Sequence, residues 1–87
     1  MFKIRLSCSG IDPAARETAA TDIQNEFRCH RPWYQEVSCH IEEGDLILTA
    51  TNDFDEAGPG LLDEFSDCLC AYLAEHGDIR VISVEPA

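Results

Sequence analysis

The first eight residues of the chain alternate between apolar and polar side chains. Phe2, Ile4, Leu6 and Cys8 are apolar, whereas the residues between them are polar. A period of two is typical of a strand that buries one face and exposes the other. The pattern therefore predicts a first strand that ends before Gly10.

After Gly10 the apolar residues recur every four positions, which predicts a helix. Asp12 and Pro13 provide an N-cap followed by a proline at the first helical position, where a missing N–H group costs nothing. The helix is expected to end before Pro32, because the residue that precedes a proline disfavours the helical conformation. Its buried face is predicted to consist of Ala15, Ala19, Ile23 and Phe27.

From Trp33 the apolar residues again alternate with polar ones, which predicts a β-hairpin. Positions 37, 39 and 41 are predicted to face the core, while the polar residues between them face outward. Glu43 and Gly44 form the tight turn, and the second strand directs positions 46, 48 and 50 toward the core. Ile47 is then an apolar side chain on the outward face of the sheet.

The remainder of the chain predicts a loop, a second helix and a last strand. Residues 52–60 are mostly polar and contain Gly and Pro, as is typical of a loop. A helix that begins at Pro59 or shortly after it is expected to end at Gly77. Residues 79–84 then predict a strand. The apolar positions of the second helix are Leu61, Leu62, Phe65, Leu69, Tyr72 and Leu73.

The predicted elements follow the order βαββαβ. Two right-handed β-α-β crossovers would place both helices on one face of a four-stranded antiparallel sheet. This element order resembles the ferredoxin-like superfold, and the resemblance extends over residues 1–87, which we expect to form a single α+β domain. The fold serves many unrelated functions, so it predicts no activity by itself.

The chain is strongly acidic, and its negative charge is unevenly distributed. It contains 17 Asp and Glu residues against 6 Lys and Arg residues, which gives a formal net charge of -11. Residues 36–79 contain twelve carboxylates and neither Lys nor Arg. Nucleic acids and anionic membrane surfaces carry charge of the same sign, so we expect neither to be a partner.

Neither a membrane-spanning segment nor an export signal is predicted. The longest apolar run, residues 68–74, contains seven residues, whereas a helix needs about 20 apolar residues to span a bilayer. The N-terminus lacks the charged region and continuous apolar stretch of a signal peptide. The five cysteines, an odd number, are then most simply interpreted as reduced thiols of a cytoplasmic protein.

No motif in the sequence specifies a reaction, a cofactor or a metal site. Cys39 and His40 are neighbours on a predicted strand and face opposite sides of the sheet, so they cannot bind one metal ion. Cys68 and Cys70 are about 200° apart around the predicted helix. The acidic segment 52–56 lacks the Gly and the distal Glu of an EF-hand, and is predicted to be a solvated loop. We therefore predict no catalytic residue, no cofactor and no metal ligand.

Several carboxylates lie together on the loop before the second helix and on the first part of that helix. Because no Lys or Arg lies near them in sequence, this surface is suited to docking a basic protein, whose encounter opposite charges would steer. The residues predicted to bind such a partner are Asp53, Asp55, Glu56, Asp63, Glu64 and Asp67.

A small, acidic, single-domain protein without a catalytic motif resembles the immunity proteins of bacterial toxin systems, including contact-dependent growth inhibition. The features that carry this resemblance are the acidic segment 36–79 and the lack of a catalytic motif. The resemblance implies a non-catalytic inhibitor whose acidic surface blocks a basic, nuclease-type toxin domain. It assigns no individual contacts, because no residue motif is shared.

Two other functions stay open, as does the choice between a monomer and a homodimer. One is a regulatory domain that dimerises through outward apolar residues of its sheet, namely Tyr34, Ile47 and Ile82. The other is a small dimeric enzyme or ligand-binding protein with a pocket on the sheet lined by His30, Trp33 or His40.

Overall fold

The computed structural model describes residues 1–55 and 57–87, and within them the chain forms four strands and two helices. The order of these elements is βαββαβ, as the sequence predicts. Their bounds are β1 (Phe2–Cys8), α1 (Arg16–His30), β2 (Gln35–Glu42), β3 (Asp45–Asn52), α2 (Pro59–Tyr72) and β4 (Ile79–Pro86).

The strands form one sheet in the order β2-β3-β1-β4, and every neighbouring pair is antiparallel. This order, together with two helices that connect non-adjacent strands, is the ferredoxin-like α+β arrangement. The predicted fold class is therefore confirmed. The central strands are β1 and β3, while β2 and β4 form the two edges of the sheet.

One hydrophobic core joins both helices to the same face of the sheet. Phe27 of α1 and Phe65 of α2 are fully buried in it beside Leu6 and Leu48 of the central strands. Burial of a side chain of this size stabilises the fold by roughly 1.5–3 kcal/mol relative to leaving it exposed. The opposite face of the sheet, called the open face below, carries no helix.

Helix α1 begins at Arg16, later than the sequence predicts. Asp12 does act as a local cap, but its Oδ1 atom accepts a hydrogen bond from the backbone N–H of Ala14 at 3.0 Å. This bond stabilises a turn over residues 13–15, so Pro13 lies in the turn and not in the helix. The predicted first residue of the helix is therefore wrong. Ala19, Ile23 and Phe27 of the predicted face are buried, whereas Ala15 precedes the helix and is only partly buried.

Helix α2 begins at Pro59 as predicted but ends at Tyr72, well before Gly77. Gly77 serves a different purpose, because the chain passes very close to Ser9 at this point. A Cβ atom on Gly77 would lie 2.8 Å from the Ser9 carbonyl oxygen, and the Gly77 N–H donates to that same oxygen at 2.7 Å. The glycine permits this contact between the α2–β4 connection and the residue that follows β1, and it does not terminate the helix.

The hairpin turn is the one predicted from Glu43 and Gly44. Both residues have positive φ angles, 52° and 85°, which is the conformation of a type I′ turn. Such a turn has a twist that matches the strands on either side of it, and it fixes their register. The turn therefore determines which side chains of β2 and β3 reach the core and which reach the open face.

Candidate functional site

The loop before α2 contains a buried carboxylate that caps the helix. Asp55 is only 7% exposed, and its two carboxylate oxygens accept hydrogen bonds from the N–H groups of Gly60 at 3.2 Å and Leu61 at 2.8 Å. The residue at the N-cap position, Gly58, supplies no side-chain bond, and the first turn of α2 has no acidic residue. The Asp55 carboxylate therefore accepts hydrogen bonds from backbone N–H groups at the start of α2, and it points toward the interior of the protein.

Asn52 holds the same loop in place from the end of β3. Its side chain is buried, and its Oδ1 atom accepts hydrogen bonds from the N–H groups of Phe54 at 3.0 Å and Asp55 at 2.6 Å. Residues 52–55 of the segment predicted to be a solvated acidic loop thus form an internally bonded turn. Two of its polar side chains, those of Asn52 and Asp55, are used to build it, while Asp53 stays exposed.

A second set of contacts ties the end of α1 to the start of α2. The Arg31 guanidinium hydrogen-bonds Glu26 at 3.0 Å, forms a short bond with Glu64 and lies over the Phe27 ring at 5.2 Å from its centroid. Burial tends to lower the pKa of Arg31, but its bonds to Glu64 and Glu26 outweigh this and raise that pKa. Glu64 is therefore engaged within the chain.

The predicted partner-binding residues consequently separate into three groups. Asp55 and Glu64 are bonded within the chain, and Glu56 lies outside the described residues. The remaining three are exposed, and no Lys, Arg or His of the described ranges forms an ion pair with them. These three are Asp53, Asp63 and Asp67.

Two exposed aromatic side chains lie at the same end of the molecule. Trp33 is 49% exposed and Phe54 is 55% exposed, and both rings contact the buried ring of Tyr34, at centroid distances of 6.3 and 5.5 Å. Burial, followed by the charges of Asp55 and Glu64, raises the pKa of Tyr34 to about 12. Because Phe54 belongs to the loop that precedes α2, the aromatic cluster lies at that loop.

We call these five exposed residues the acidic–aromatic surface: Trp33, Asp53, Phe54, Asp63 and Asp67. Aromatic side chains provide much of the binding energy at protein interfaces, and a rim of charge provides orientation. Sequence reasoning did not include the aromatic pair in the partner-binding set. The available signals were a single apolar residue, Phe54, within a polar loop and a tryptophan directly after Pro32.

The residues proposed to line a pocket on the sheet are not brought together. His40 is exposed on the open face and its Nε2 atom lies 3.2 Å from Glu42, whereas His30 belongs to α1 on the opposite face. Trp33 packs on Tyr34 in the connection between α1 and β2. The three residues therefore do not line one common pocket.

The residues proposed as outward contacts for a dimer are also mostly buried. Tyr34 lies in the core, and Ile47 on the open face is only 5% exposed. Arg5 and Glu42 lie on the strands that flank β3, and their ion pair, 3.2 Å long, crosses that strand beside Ile47. Of the three residues only Ile82 presents an apolar side chain to solvent.

The five cysteines are free thiols in two environments. Cys8, Cys39 and Cys68 are buried, and burial is the main cause that raises their pKa values to about 11, 12 and 11. Thiols with such pKa values stay protonated at neutral pH and pack as small apolar groups. Cys29 and Cys70 are exposed on the helices.

The described part of the chain contains no group of three His, Cys, Asp or Glu side chains placed to hold a metal ion. Within the same residues, neither helix has the length and apolar character needed to cross a membrane. Comparison of the chain with protein-family models, with curated proteins and with solved structures found no match. Function is therefore inferred from the fold and from the side chains described above.

Proposed function

We propose that this chain is a non-catalytic acidic binding protein that docks a basic protein partner through the acidic–aromatic surface. The observation that carries the proposal is that Trp33 and Phe54 expose their rings around Tyr34, and that Phe54 follows Asp53, an exposed carboxylate without a cationic partner in the described ranges. Exposed large aromatic side chains next to uncompensated charge favour a protein interface over a merely soluble surface.

The two components of the surface have different roles in the proposed complex. Asp63 and Asp67 are four residues apart on α2, so their Cβ atoms are about 6 Å apart and they present their charges together. These charges attract a basic partner and raise the rate of encounter, most strongly at low salt. Trp33 and Phe54 then bury apolar area in the complex and slow dissociation.

In its finer form, the proposal is that the partner is a toxin domain of the nuclease type, which this chain would neutralise as an immunity protein. The support is charge complementarity, since a surface that binds the phosphate backbone is basic and an acidic protein can occupy it. This form of the proposal requires that binding by the chain block access of nucleic acid to its partner.

The proposal is tested with peptides selected from a random displayed library on the wild-type chain. We expect the selected peptides to contain Lys or Arg near an apolar residue and to bind more weakly as salt is raised. The double substitution Asp63→Lys with Asp67→Lys should weaken binding about tenfold or more. Phe54→Ala or Trp33→Ala should weaken it by roughly 30-fold if the ring is an anchor.

A matched control reverses two exposed carboxylates at the opposite end of the molecule. Glu17 lies in the first turn of α1 and Glu75 follows α2, so Glu17→Lys with Glu75→Lys changes the net charge by the same amount. We expect this control to bind nearly as well as the wild type. Equal losses in both charge-reversed variants, or an affinity that does not change with salt, would contradict a localised acidic docking surface.

A further inference from the structure

On the edge strand β2, backbone groups already form hydrogen bonds with side chains of α1. The Arg28 guanidinium donates to the Val37 carbonyl oxygen, with Nη2 at 2.9 Å and Nε at 3.3 Å. Gln24 accepts a hydrogen bond from the backbone N–H of Cys39 at 2.9 Å. These bonds cover groups that could otherwise pair with another strand, which is a common way to protect a sheet edge.

The opposite edge strand, β4, has no such cover. It is eight residues long, and no side chain of the described ranges hydrogen-bonds to its backbone. Its apolar side chains are also exposed, at 39% for Val81, 48% for Ile82 and 37% for Val84. Pro86 at the end of β4 has no N–H to donate, but the rest of this exposed edge strand, with apolar side chains on both faces, is a template for pairing with another chain.

A bulge at the middle of β4 determines which face each of its side chains occupies. Residues 80, 83 and 85 lie opposite Ser7, Arg5 and Lys3 of the open face, and residues 79, 81, 84 and 86 lie opposite β1 residues on the core side. Ile82 is the extra residue of the bulge, and it lines a shallow depression on the open face together with Ser7.

The resulting order of faces along β4 is symmetric. Residues 79, 81, 84 and 86 lie on the core side, and residues 80, 82, 83 and 85 lie on the open face. The order of faces is therefore the same when the strand is read from either end. Residues directly opposite each other in an antiparallel pair lie on the same face of the sheet. A second copy of β4 can therefore pair with the first about an axis between Ile82 and Ser83 with every facing pair on a common side.

We propose that two copies of this chain form a homodimer through β4, joined antiparallel in this register into a continuous eight-stranded sheet. Arg80 of each copy then lies opposite Glu85 of the other on the open face, which gives two opposite-charge pairs. Val81 of each copy lies opposite Val84 of the other on the core side, and the exposed apolar area of both is covered.

Charge complementarity selects a second copy of this chain as the occupant. Residues 79–87 contain one Arg and one Glu and are neutral overall, although the chain as a whole has a net charge of -11. Two copies of this strand therefore meet without a net charge of like sign on the facing residues, unlike two copies of the acidic segment 36–79. The proposed pairing uses residues of β4, none of which belongs to the acidic–aromatic surface, so the two proposals can be tested with separate substitutions.

The experiment measures the mass of the full-length chain in solution over a wide range of protein concentration. Wild type is expected to be a dimer that dissociates on dilution. Arg80→Glu places two acidic residues opposite each other at both ends of the strand pair, and Glu85→Arg places two basic residues there. Each variant should dimerise about tenfold or more weakly than wild type.

Mixing the two variants provides the decisive readout. A pair of one Arg80→Glu chain and one Glu85→Arg chain restores opposite charges at both ends, so the mixture should form a heterodimer at concentrations at which each variant alone is mostly monomeric. A variant that simply fails to fold cannot give this rescue. The control Glu17→Arg changes an exposed residue of α1 by the same charge as Glu85→Arg and should leave the dimer intact.

Three results would overturn the proposal. The first is a wild-type chain that stays monomeric at the highest concentration, which would mean that the bulge protects the edge from pairing. The second is a dimer whose affinity is unchanged by both charge substitutions, since such a dimer must use another surface or another register. The third is a mixture of the two variants that shows no heterodimer although both chains are folded.

Discussion

The loop before α2 and the exposed face of α2 carry the same type of side chain but use it differently. The Asp55 carboxylate is buried and accepts two backbone hydrogen bonds at the start of the helix. Asp63 and Asp67 are exposed and, within the described residues, have no cationic partner. The acidic excess of this chain therefore includes carboxylates that stabilise the fold as well as carboxylates that are free to meet a partner.

Substitution of Asp55 should have the largest effect on stability. Asp55→Ala leaves the N–H groups of Gly60 and Leu61 without an acceptor, and we expect the free energy of unfolding to fall by about 2–3 kcal/mol. For a chain of this size the melting temperature would fall by roughly 10 °C or more. Asp53→Ala is the matched control, because Asp53 is exposed, and it should change stability by less than about 0.5 kcal/mol. Similar effects of the two substitutions, measured by urea unfolding, would contradict the assignment of Asp55 as a cap.

The contacts of Arg31 should contribute less than the Asp55 cap. Arg31→Ala removes the cation between Glu26 and Glu64 and is expected to lower the free energy of unfolding by about 1–2 kcal/mol. The double variant Arg31→Ala with Glu64→Gln should be less destabilised than the sum of the two single variants, because the charge left without a partner is also removed. Simple additivity in thermal unfolding would show that Arg31 and Glu64 do not interact.

The dependence of stability on pH tests the hydrogen bond between Arg31 and Glu26. The hydrogen bond from Arg31 is the main cause that lowers the pKa of Glu26 from its ordinary value of 4.5. A lowered pKa in the folded state gives a stabilisation that is present above pH 4.5 and lost as pH falls through the folded value. Glu26→Gln should therefore be less stable than wild type at pH 7, with the difference shrinking at pH values below 4.5. A difference that is independent of pH would exclude this linkage.

The fold was predictable because the apolar period of each element agrees with its final burial. Ile23 and Phe27 face the core from α1, and Leu61 and Phe65 face it from α2. Helix ends were less predictable, since they depend on contacts between parts of the chain that are distant in sequence. The contact of Gly77 with Ser9 is such a case, because a glycine after an apolar helix has the same local sequence whether it ends a helix or permits a close approach.

The candidate site was only partly predictable for the same physical reason. The acidic composition of the loop and helix was evident, but burial decides which carboxylates stay free, and the side-chain bonds of Asp55 and Glu64 cannot be derived from local spacing. Trp33 and Phe54 are distant in sequence and meet on the ring of Tyr34 only in the folded chain. Sequence reasoning therefore located the charged part of the surface and missed its aromatic part.

Asp67→Lys is the substitution with the smallest expected effect on stability, and it best distinguishes carboxylates that support the fold from carboxylates that serve an interaction. Asp63 and Asp67 repel each other across one turn of α2, and Asp67→Lys replaces this repulsion with an attraction in the favourable orientation, so it should raise the free energy of unfolding by about 0.5 kcal/mol. The same substitution should weaken binding of the selected basic peptides. A gain in stability together with a loss of binding would mean that Asp67 is retained at a cost to the fold, as expected of a residue that serves an interaction. If Asp67→Lys instead destabilises the chain in urea unfolding, Asp67 belongs with Asp55 among the carboxylates that support the structure.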